Sequence, residues 1–167
     1  DMDPLTDITS LIRNSITDDP PLAQKDGGII REGYNEDVDK FRRSRTDGKK
    51  WLSELEARER ERTGIKSLKI KYNRVFGYSL EVTNTFKDLV PEDYIRKQTL
   101  TNAERYITQE LKDLEDLILG AEDKLYALEF ELFSSIRDQV GAEVVRIQRT
   151  AKAVAALDVF ASLALVA

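Results

Sequence analysis

The 167-residue sequence contains neither cysteine nor histidine. Without cysteine there are no disulfides and no thiol nucleophile, and without histidine there are no Ser-His or Cys-His dyads, imidazole metal ligands or imidazole general base. No apolar run reaches the roughly 18 residues that a membrane-spanning helix needs, and neither GxxxxGK[ST] nor GxGxxG, the phosphate-binding patterns, occurs. We therefore expect no membrane insertion, no cofactor or metal site and no enzyme activity carried by this chain.

Charge, by contrast, is plentiful and unevenly distributed. The chain has 26 Lys/Arg and 31 Asp/Glu, a net charge of −5, yet residues 62–105 hold nine basic and five acidic residues, a net +4 that leaves −9 elsewhere. A basic region within an acidic chain suits sequence-independent nucleic-acid binding, because phosphate neutralisation supplies most of that affinity. The alternative is that lysines such as Lys69 and Lys71 are only the solvated face of a strand.

Helical signals precede this basic region. Asp3 followed by Pro4 predicts the N-cap and first position of a short helix. Asn35 predicts the N-cap of a longer helix that runs to about Arg62 and ends at Gly64.

The interior of the second predicted helix raises three expectations. Gly48 should weaken it by about 1 kcal/mol relative to Ala. Trp51 falls on an apolar stripe with Leu52 and Leu55, so we expect it in the core rather than on a base-stacking surface. The final stretch, LEARERERTG, is almost wholly charged and should project into solvent.

The basic region itself has the alternation of β-strands. Residues 67–72 and 78–83 alternate apolar and polar side chains around a turn, NRVFG, which predicts a hairpin with its lysines on the open face. An isolated hairpin is marginal in water, so a third strand is needed, and residues 98–106, alone or together with Ile95, are the candidate. Thr101 and Glu104 also fit a helical capping box, and this alternative stays open.

A heptad pattern follows the basic region. Apolar residues recur at alternating spacings of four and three, which predicts a long helix to about Val140 with a seam for an antiparallel partner: Ile107, Leu111, Leu114, Ile118, Ala121, Leu125, Leu128 and Leu132. A last helix is predicted for residues 142–164. The fold class is thus α+β and mainly α, with a small antiparallel β region inserted at the tip of two long antiparallel helices.

Several stretches resemble the MutS family of DNA mismatch-repair proteins over nearly the whole chain. They are LEARERERTGIKSLK, YNRVFGYSLEV and LVPEDYIRKQTLTNAERYITQELKDLED, with DGGIIREGYNEDVDKFR upstream and AVAALDVFASLA downstream. The resemblance implies a central fragment: lever (core) helices at residues 1–61 and 108–167, and a clamp domain at 62–107. In this family the clamp grips duplex DNA by its backbone.

The same resemblance implies a division of labour. The mismatch probe and the ATPase, with its ATP and Mg²⁺, would belong to other parts of a longer bacterial protein. That protein would be cytoplasmic and nucleoid-associated, and it would act as a homodimer with a MutL-type partner. The fragment itself should be a monomer without enzyme activity.

The predicted contacts with the DNA backbone combine the clustered charge with the resemblance. Asn73 and Asn102 match family asparagines at the backbone, and Thr101 stands where the family often has lysine. Gln109 stands where the family often has proline, which leaves the start of the following helix less sharply fixed. The full predicted set is Lys69, Lys71, Asn73, Arg74, Arg96, Lys97, Thr101 and Asn102.

A second function class competes with the clamp. A heptad helix with a small globular tip can be a protein-interaction coiled-coil arm that never contacts DNA. Such an arm would carry its positive charge along the flanks of the seam, whereas here the excess lies in the β region. The charge distribution favours the clamp.

Overall fold

A computed structural model describes residues 2–166, apart from the side chain of Lys25. Its helices and strands are α1 (Thr6–Ser15), α2 (Glu36–Thr63), β1 (Lys69–Asn73), β2 (Gly77–Thr83), β3 (Ile95–Thr99), β4 (Ala103–Ile107), α3 (Gln109–Ala142) and α4 (Val144–Val166). The predicted class, mainly helical α+β with a small antiparallel sheet, is confirmed. The chain divides into two compact units, Asp1–Val38 with Tyr126–Ala167, and Asp39–Leu125.

The sheet lies in the second unit and is antiparallel throughout. Its order is β1-β2-β4-β3, so the predicted hairpin is confirmed as the β1–β2 pair. The single strand predicted at 98–106 is wrong: two strands, β3 and β4, pair there around a turn in which the Leu100 amide donates to the Ala103 carbonyl at 2.8 Å. The capping-box alternative at Thr101 is also wrong, because α3 begins only at Gln109, where the Thr108 hydroxyl caps the Leu111 amide.

The hairpin turn depends on Asn73 and Gly77. Asn73 pairs with Gly77 across a three-residue loop, and Gly77 has φ 74°, a conformation that costs other residues a steric penalty. The Asn73 Oδ1 accepts hydrogen bonds from the amides of Val75 (2.8 Å) and Phe76 (3.0 Å). An asparagine that caps its own turn in this way gives the loop a defined shape.

One face of the sheet forms the core of this unit with α2 and α3. The buried set is Leu52, Leu55, Ile65, Leu68, Leu80, Val82, Tyr94, Tyr106, Leu111 and Ile118. Trp51 is not part of it: 43% of the residue is exposed, so the core prediction was wrong. Trp51 lies about 100° around the helix from Leu52, and that rotation takes its indole off the buried stripe.

Within this unit α2 and α3 run antiparallel. Gly48 of α2 lies against Ile118 of α3. Ten residues later in α2, Arg58 donates a 2.6 Å hydrogen bond to Glu110, which lies eight residues before Ile118 in α3. The heptad seam is buried at Leu111, Ile118, Ala121 and Leu125. Its predicted first member, Ile107, belongs to β4 instead, because the strand continues to the residue before Thr108.

The charged end of α2 does not project into solvent, contrary to expectation. Glu59 is only 5% exposed, and the hydroxyl of Tyr94 donates to it at 2.6 Å. Arg62 bridges Glu59 and Asp93 and lies 5.6 Å from the centre of the Tyr94 ring. The helix ends as predicted at Gly64, whose amide donates to the Arg60 carbonyl.

In the first unit, ionic contacts join the N-terminus to α4. Arg146 forms ion pairs with both Asp3 and Asp7 at 2.9 Å. The predicted N-cap at Asp3 was wrong: Leu5 occupies that position, and Asp3 instead accepts from the Leu5 amide. The predicted cap of α2 is confirmed, since the Asn35 Oδ1 accepts from the amides of residues 37 and 38.

Candidate nucleic-acid interface

The outer face of the sheet, opposite the core, carries a row of polar side chains. The register aligns Lys69 on β1 with Glu81 on β2, Arg105 on β4 and Gln98 on β3. Because side chains alternate along a strand, Lys71 lies on the same face two residues from Lys69. We call these five residues the outer-face row. It combines three cations with one carboxylate, a net positive surface.

Contacts within the outer-face row centre on Glu81. The Lys71 ammonium donates to its Oε1 at 2.8 Å, and Arg105 Nε donates to its Oε2 at 3.2 Å. Arg105 also donates to the Gln98 side-chain oxygen at 3.0 Å. The bond from Lys71, together with that from Arg105, holds the pKa of Glu81 below its ordinary value against the opposing effect of burial. Glu81 is therefore an ionised carboxylate at neutral pH.

Lys69 and Arg74 differ from Lys71 in having no ionic partner within the described part of the chain. Both residues are exposed. Lys69 lies on the outer face near the start of β1, and Arg74 lies in the β1–β2 turn. Among the predicted contact residues, these two carry the charges most available to a phosphate.

The β1–β2 turn presents a second kind of donor. Because the Oδ1 of Asn73 is occupied by the turn's own amides, the Nδ2 group is directed away from them and has no hydrogen-bond partner in residues 2–166. Lys97 reaches this turn from β3 and donates to the carbonyl of Phe76. Val75 is 81% exposed at the apex. The turn thus offers an amide donor and a guanidinium beside a small apolar surface.

Thr101 and Asn102 occupy the β3–β4 turn, and both are exposed. Asn84 fixes this turn from the end of β2: its amide donates to the Asn102 carbonyl at 3.0 Å, and its side chain donates to the Thr101 carbonyl at 3.2 Å. The backbone of the turn is therefore held while both polar side chains remain available for hydrogen bonds with phosphate oxygens.

The two turns lie at opposite ends of the sheet. Gly77 marks one end and Thr83, paired with Ala103, marks the other, six residues along β2. At the rise of a strand this is about 20 Å, the length of roughly six phosphate steps along one DNA strand. The predicted residues therefore form an extended surface rather than one pocket.

Arg96 is the predicted residue that the structure separates most clearly from the outer-face row. The register aligns it with Tyr106 and Leu80, on the core side of the sheet edge. It lies 3.6 Å from Glu104, which also accepts from the Tyr106 hydroxyl. The register is irregular between Arg96 and Gln98, so side chains in this part of β3 do not follow the regular alternation between the two faces of the sheet.

Sequence reasoning missed Glu81 and Arg105 as members of this surface. A signal was present: once β2 and β4 are paired, alternation places both side chains on the face that carries Lys69. The signal depends on the β2–β4 pairing, which a single strand over residues 98–106 does not specify.

Within residues 2–166 there is no group of three or more acidic residues placed to hold a metal ion. None of the described helices is both long enough and apolar enough to cross a bilayer.

Comparison with known proteins identifies the family. The model described as MutS family domain IV matches residues 33–124, more than half of the chain. The chain belongs to the MutS family. The matched region holds the whole sheet and the parts of α2 and α3 that pack on it.

Whole-chain comparisons agree with that membership. The chain is 63% identical over 167 residues to a protein of Lachnoclostridium phytofermentans named DNA mismatch repair protein MutS, covering 100% of the chain and 18% of that protein. Proteins of the same name from Acetivibrio thermocellus and Caldanaerobacter subterraneus are 54% and 57% identical over 100% and 99% of the chain. The chain spans about a fifth of the length of these MutS proteins.

Proposed function

We propose that this chain is the part of a DNA mismatch-repair protein that grips duplex DNA by its backbone, without reading sequence. The observation that carries the proposal is the extended basic surface along about 20 Å of one sheet. It combines Lys69 and Arg74, which have no ionic partner among the described residues, with the side-chain donors of Asn73 and Asn102. Ammonium, guanidinium and amide groups bind phosphate oxygens but carry little information about base sequence. Membership of the MutS family, whose relatives are named for mismatch repair, supports it.

The proposal extends to the longer protein. The mismatch probe and an ATPase that uses ATP and Mg²⁺ would lie in parts of that protein other than this chain, which would itself have no enzyme activity. We expect the whole protein to act in the bacterial cytoplasm on nucleoid DNA, as a homodimer with a MutL-type partner, and the isolated chain to be monomeric. Both α2 and α3 continue from one compact unit into the other, so they are candidates for linking the grip to the ATPase.

A salt-dependent binding titration tests the proposal. Fluorescence anisotropy would compare the 167-residue chain on a perfect duplex and on the same duplex with one mismatch, from low to physiological salt. We expect equal affinity for both duplexes and a steep loss with salt. The double variant Lys69→Gln/Arg74→Gln should flatten the salt dependence by about 1.8 in log–log slope, since each lost phosphate contact removes about 0.9.

A matched variant controls for net charge. Lys49→Gln/Lys124→Gln removes two exposed cations from α2 and α3, outside the sheet, and should leave binding close to that of the unaltered chain. Equal losses in the two double variants would mean that overall charge, not this surface, drives binding. No binding at low salt would favour the protein-interaction arm, and a preference for the mismatch would require a base-reading residue.

A further inference from the structure

The outer-face row contains two lysines on one strand that differ in their electrostatic partners. Lys71 is bonded to Glu81 at 2.8 Å, whereas Lys69, directly opposite Glu81 in the register, has no ionic partner within the described residues. Arg105 is the second cation that Glu81 holds. One carboxylate therefore engages two of the three cations on the face assigned to phosphate.

Burial makes this engagement less sensitive to salt than that of an ordinary surface ion pair. The side chains of Glu81 and Arg105 are 17% and 19% exposed, and that of Lys71 is 50% exposed. Partly buried pairs are screened less by salt than exposed ones. The lysine remains open enough to reach a second anion, but only by leaving or sharing its bond with the carboxylate.

The carboxylate and a DNA phosphate are alike in the chemistry that matters here. Each is an anionic oxygen group that accepts charge-assisted hydrogen bonds from ammonium and guanidinium groups. A phosphate arriving at the outer face must therefore compete with Glu81 for Lys71 and Arg105, and it also meets the negative charge of Glu81 itself.

We propose that the Glu81 carboxylate competes with the phosphates of the DNA backbone for Lys71 and Arg105. This competition limits the affinity of the surface for duplex DNA. The inference rests on the proposed function. It gives Glu81, a residue inside the binding face, a role that opposes DNA binding. Lys69 and Arg74 bind phosphate without such a competitor, whereas Lys71 contributes only when phosphate displaces the Glu81 carboxylate. Because Glu81 repels phosphate whatever the base sequence, this restraint weakens binding to every sequence alike.

The decisive variant is Glu81→Gln, compared with Glu92→Gln. Both remove one negative charge, but Glu92 is an exposed residue before β3 that has no hydrogen bond or ion pair with the outer-face row in the described structure. Glutamine can still accept from Arg105, and thermal unfolding would verify that each variant folds. We expect Glu81→Gln to bind duplex DNA about three- to fivefold more tightly than Glu92→Gln. Its salt dependence should be steeper by about one to two units of log–log slope, as the freed cations release further counterions.

A double-variant cycle separates competition from a general field effect. Lys71→Gln should weaken binding little in the unaltered chain and clearly more in the Glu81→Gln background, whereas Lys69→Gln should weaken binding by a similar factor in both. Equal affinities of Glu81→Gln and Glu92→Gln would overturn the inference, and so would weaker binding by Glu81→Gln, which would mean that the carboxylate positions Lys71 for DNA. These results require that the unaltered chain binds; if neither it nor Glu81→Gln binds at low salt, the proposed function fails with the inference.

Discussion

The hydroxyl of Tyr94 donates a 2.6 Å hydrogen bond to the Oε2 atom of Glu59, a carboxylate on the last turns of α2. Arg62 donates to the same oxygen at 2.8 Å and is held on its other side by Asp93. Tyr94 in turn packs on Tyr106 of β4, with ring centres 5.8 Å apart. A buried carboxylate must be satisfied by hydrogen bonds or an ion pair, and here those partners join the end of the helix to the sheet.

The first prediction concerns the stability of this junction. Tyr94→Phe removes one hydrogen bond to a buried charge while keeping the ring in the core. We expect the free energy of unfolding to fall by about 1.5–3 kcal/mol, the usual cost of losing a hydrogen bond to a charged group. Urea denaturation would measure it. Tyr34→Phe is the control, since Tyr34 is partly exposed and its hydroxyl has no partner in the described structure; similar losses in the two variants would contradict the assigned role.

The second prediction is the pH dependence of the same contact. Burial first, and then the bond to Glu59, raise the pKa of Tyr94 well above the ordinary value of 10.0. Above pH 10 the unfolded chain loses this phenolic proton while the folded chain keeps it, so folding stability falls as pH rises. The unaltered chain should have a higher free energy of unfolding than Tyr94→Phe. This difference should be constant below pH 9 and shrink by up to about 1.4 kcal/mol per pH unit above pH 10.

Urea unfolding at several alkaline pH values would check this narrowing. The sign of the effect is the informative part. An advantage that stayed constant to pH 11, or grew, would mean that Tyr94 ionises at least as readily in the folded state as in the unfolded chain.

The end of α2 also illustrates what sequence patterns could not give. The run from Arg58 to Arg62 has no apolar face, and a stripe rule therefore predicts solvent exposure. The structure buries Glu59 because a tyrosine hydroxyl and a guanidinium satisfy it, and both the tyrosine and Asp93 come from about thirty residues further along the chain. Local periodicity contains no information about such distant polar partners.

Elements with strong local signals were predicted well. The Asn35 cap, the Gly64 terminus and the alternation of β1 and β2 each arise from neighbouring residues, so the sequence alone specifies them. The division of residues 95–107 into two strands was missed, because the three-residue turn at 100–102 contains no glycine or proline to indicate it. Clustered charge indicated the β region as the candidate site, but only the register revealed that Glu81 lies among its cations.

The third prediction concerns Gly48. Helix propensity alone predicts that alanine at this position would stabilise α2. A methyl group at this position would overlap the Cγ1 atom of Ile118, because the two helices approach closely there. Gly48→Ala should therefore lower the free energy of unfolding by about 1–3 kcal/mol, the usual cost of overpacking, in spite of its better helix propensity. Urea denaturation would measure the change.

Gly120 provides the matched comparison for Gly48. It lies in α3, and a methyl group there would meet no atom within 4 Å, so Gly120→Ala should raise stability by about 0.5–1 kcal/mol. Ile118→Ala removes the Cγ1 atom that the new methyl group would meet, so Gly48→Ala should cost less stability in the Ile118→Ala background than in the unaltered chain. Stabilisation by Gly48→Ala alone would show that the helices can separate at this point without cost.

The fourth prediction separates the structural role of Asn73 from its proposed contact with phosphate. Asn73→Asp keeps an oxygen that can accept from the amides of Val75 and Phe76, but it replaces the Nδ2 donor with a second anionic oxygen. We expect near-normal stability and about tenfold weaker DNA binding, since a phosphate contact becomes a repulsion. Asn73→Ala removes the cap instead and should cost about 0.5–2 kcal/mol of stability, as losing other side-chain caps does.

Urea denaturation and the duplex titration, applied to the same protein samples, would distinguish the two roles of Asn73. Asn14→Asp on α1 makes the same change of charge at an exposed position in the other compact unit, and it controls for net charge. If Asn73→Asp and Asn14→Asp weakened binding equally, the amide would have no direct part in the grip. In that case Asn73 would serve only to shape the turn that presents Arg74, and binding should then follow the stability of the turn, with Asn73→Ala the more damaging of the two Asn73 variants.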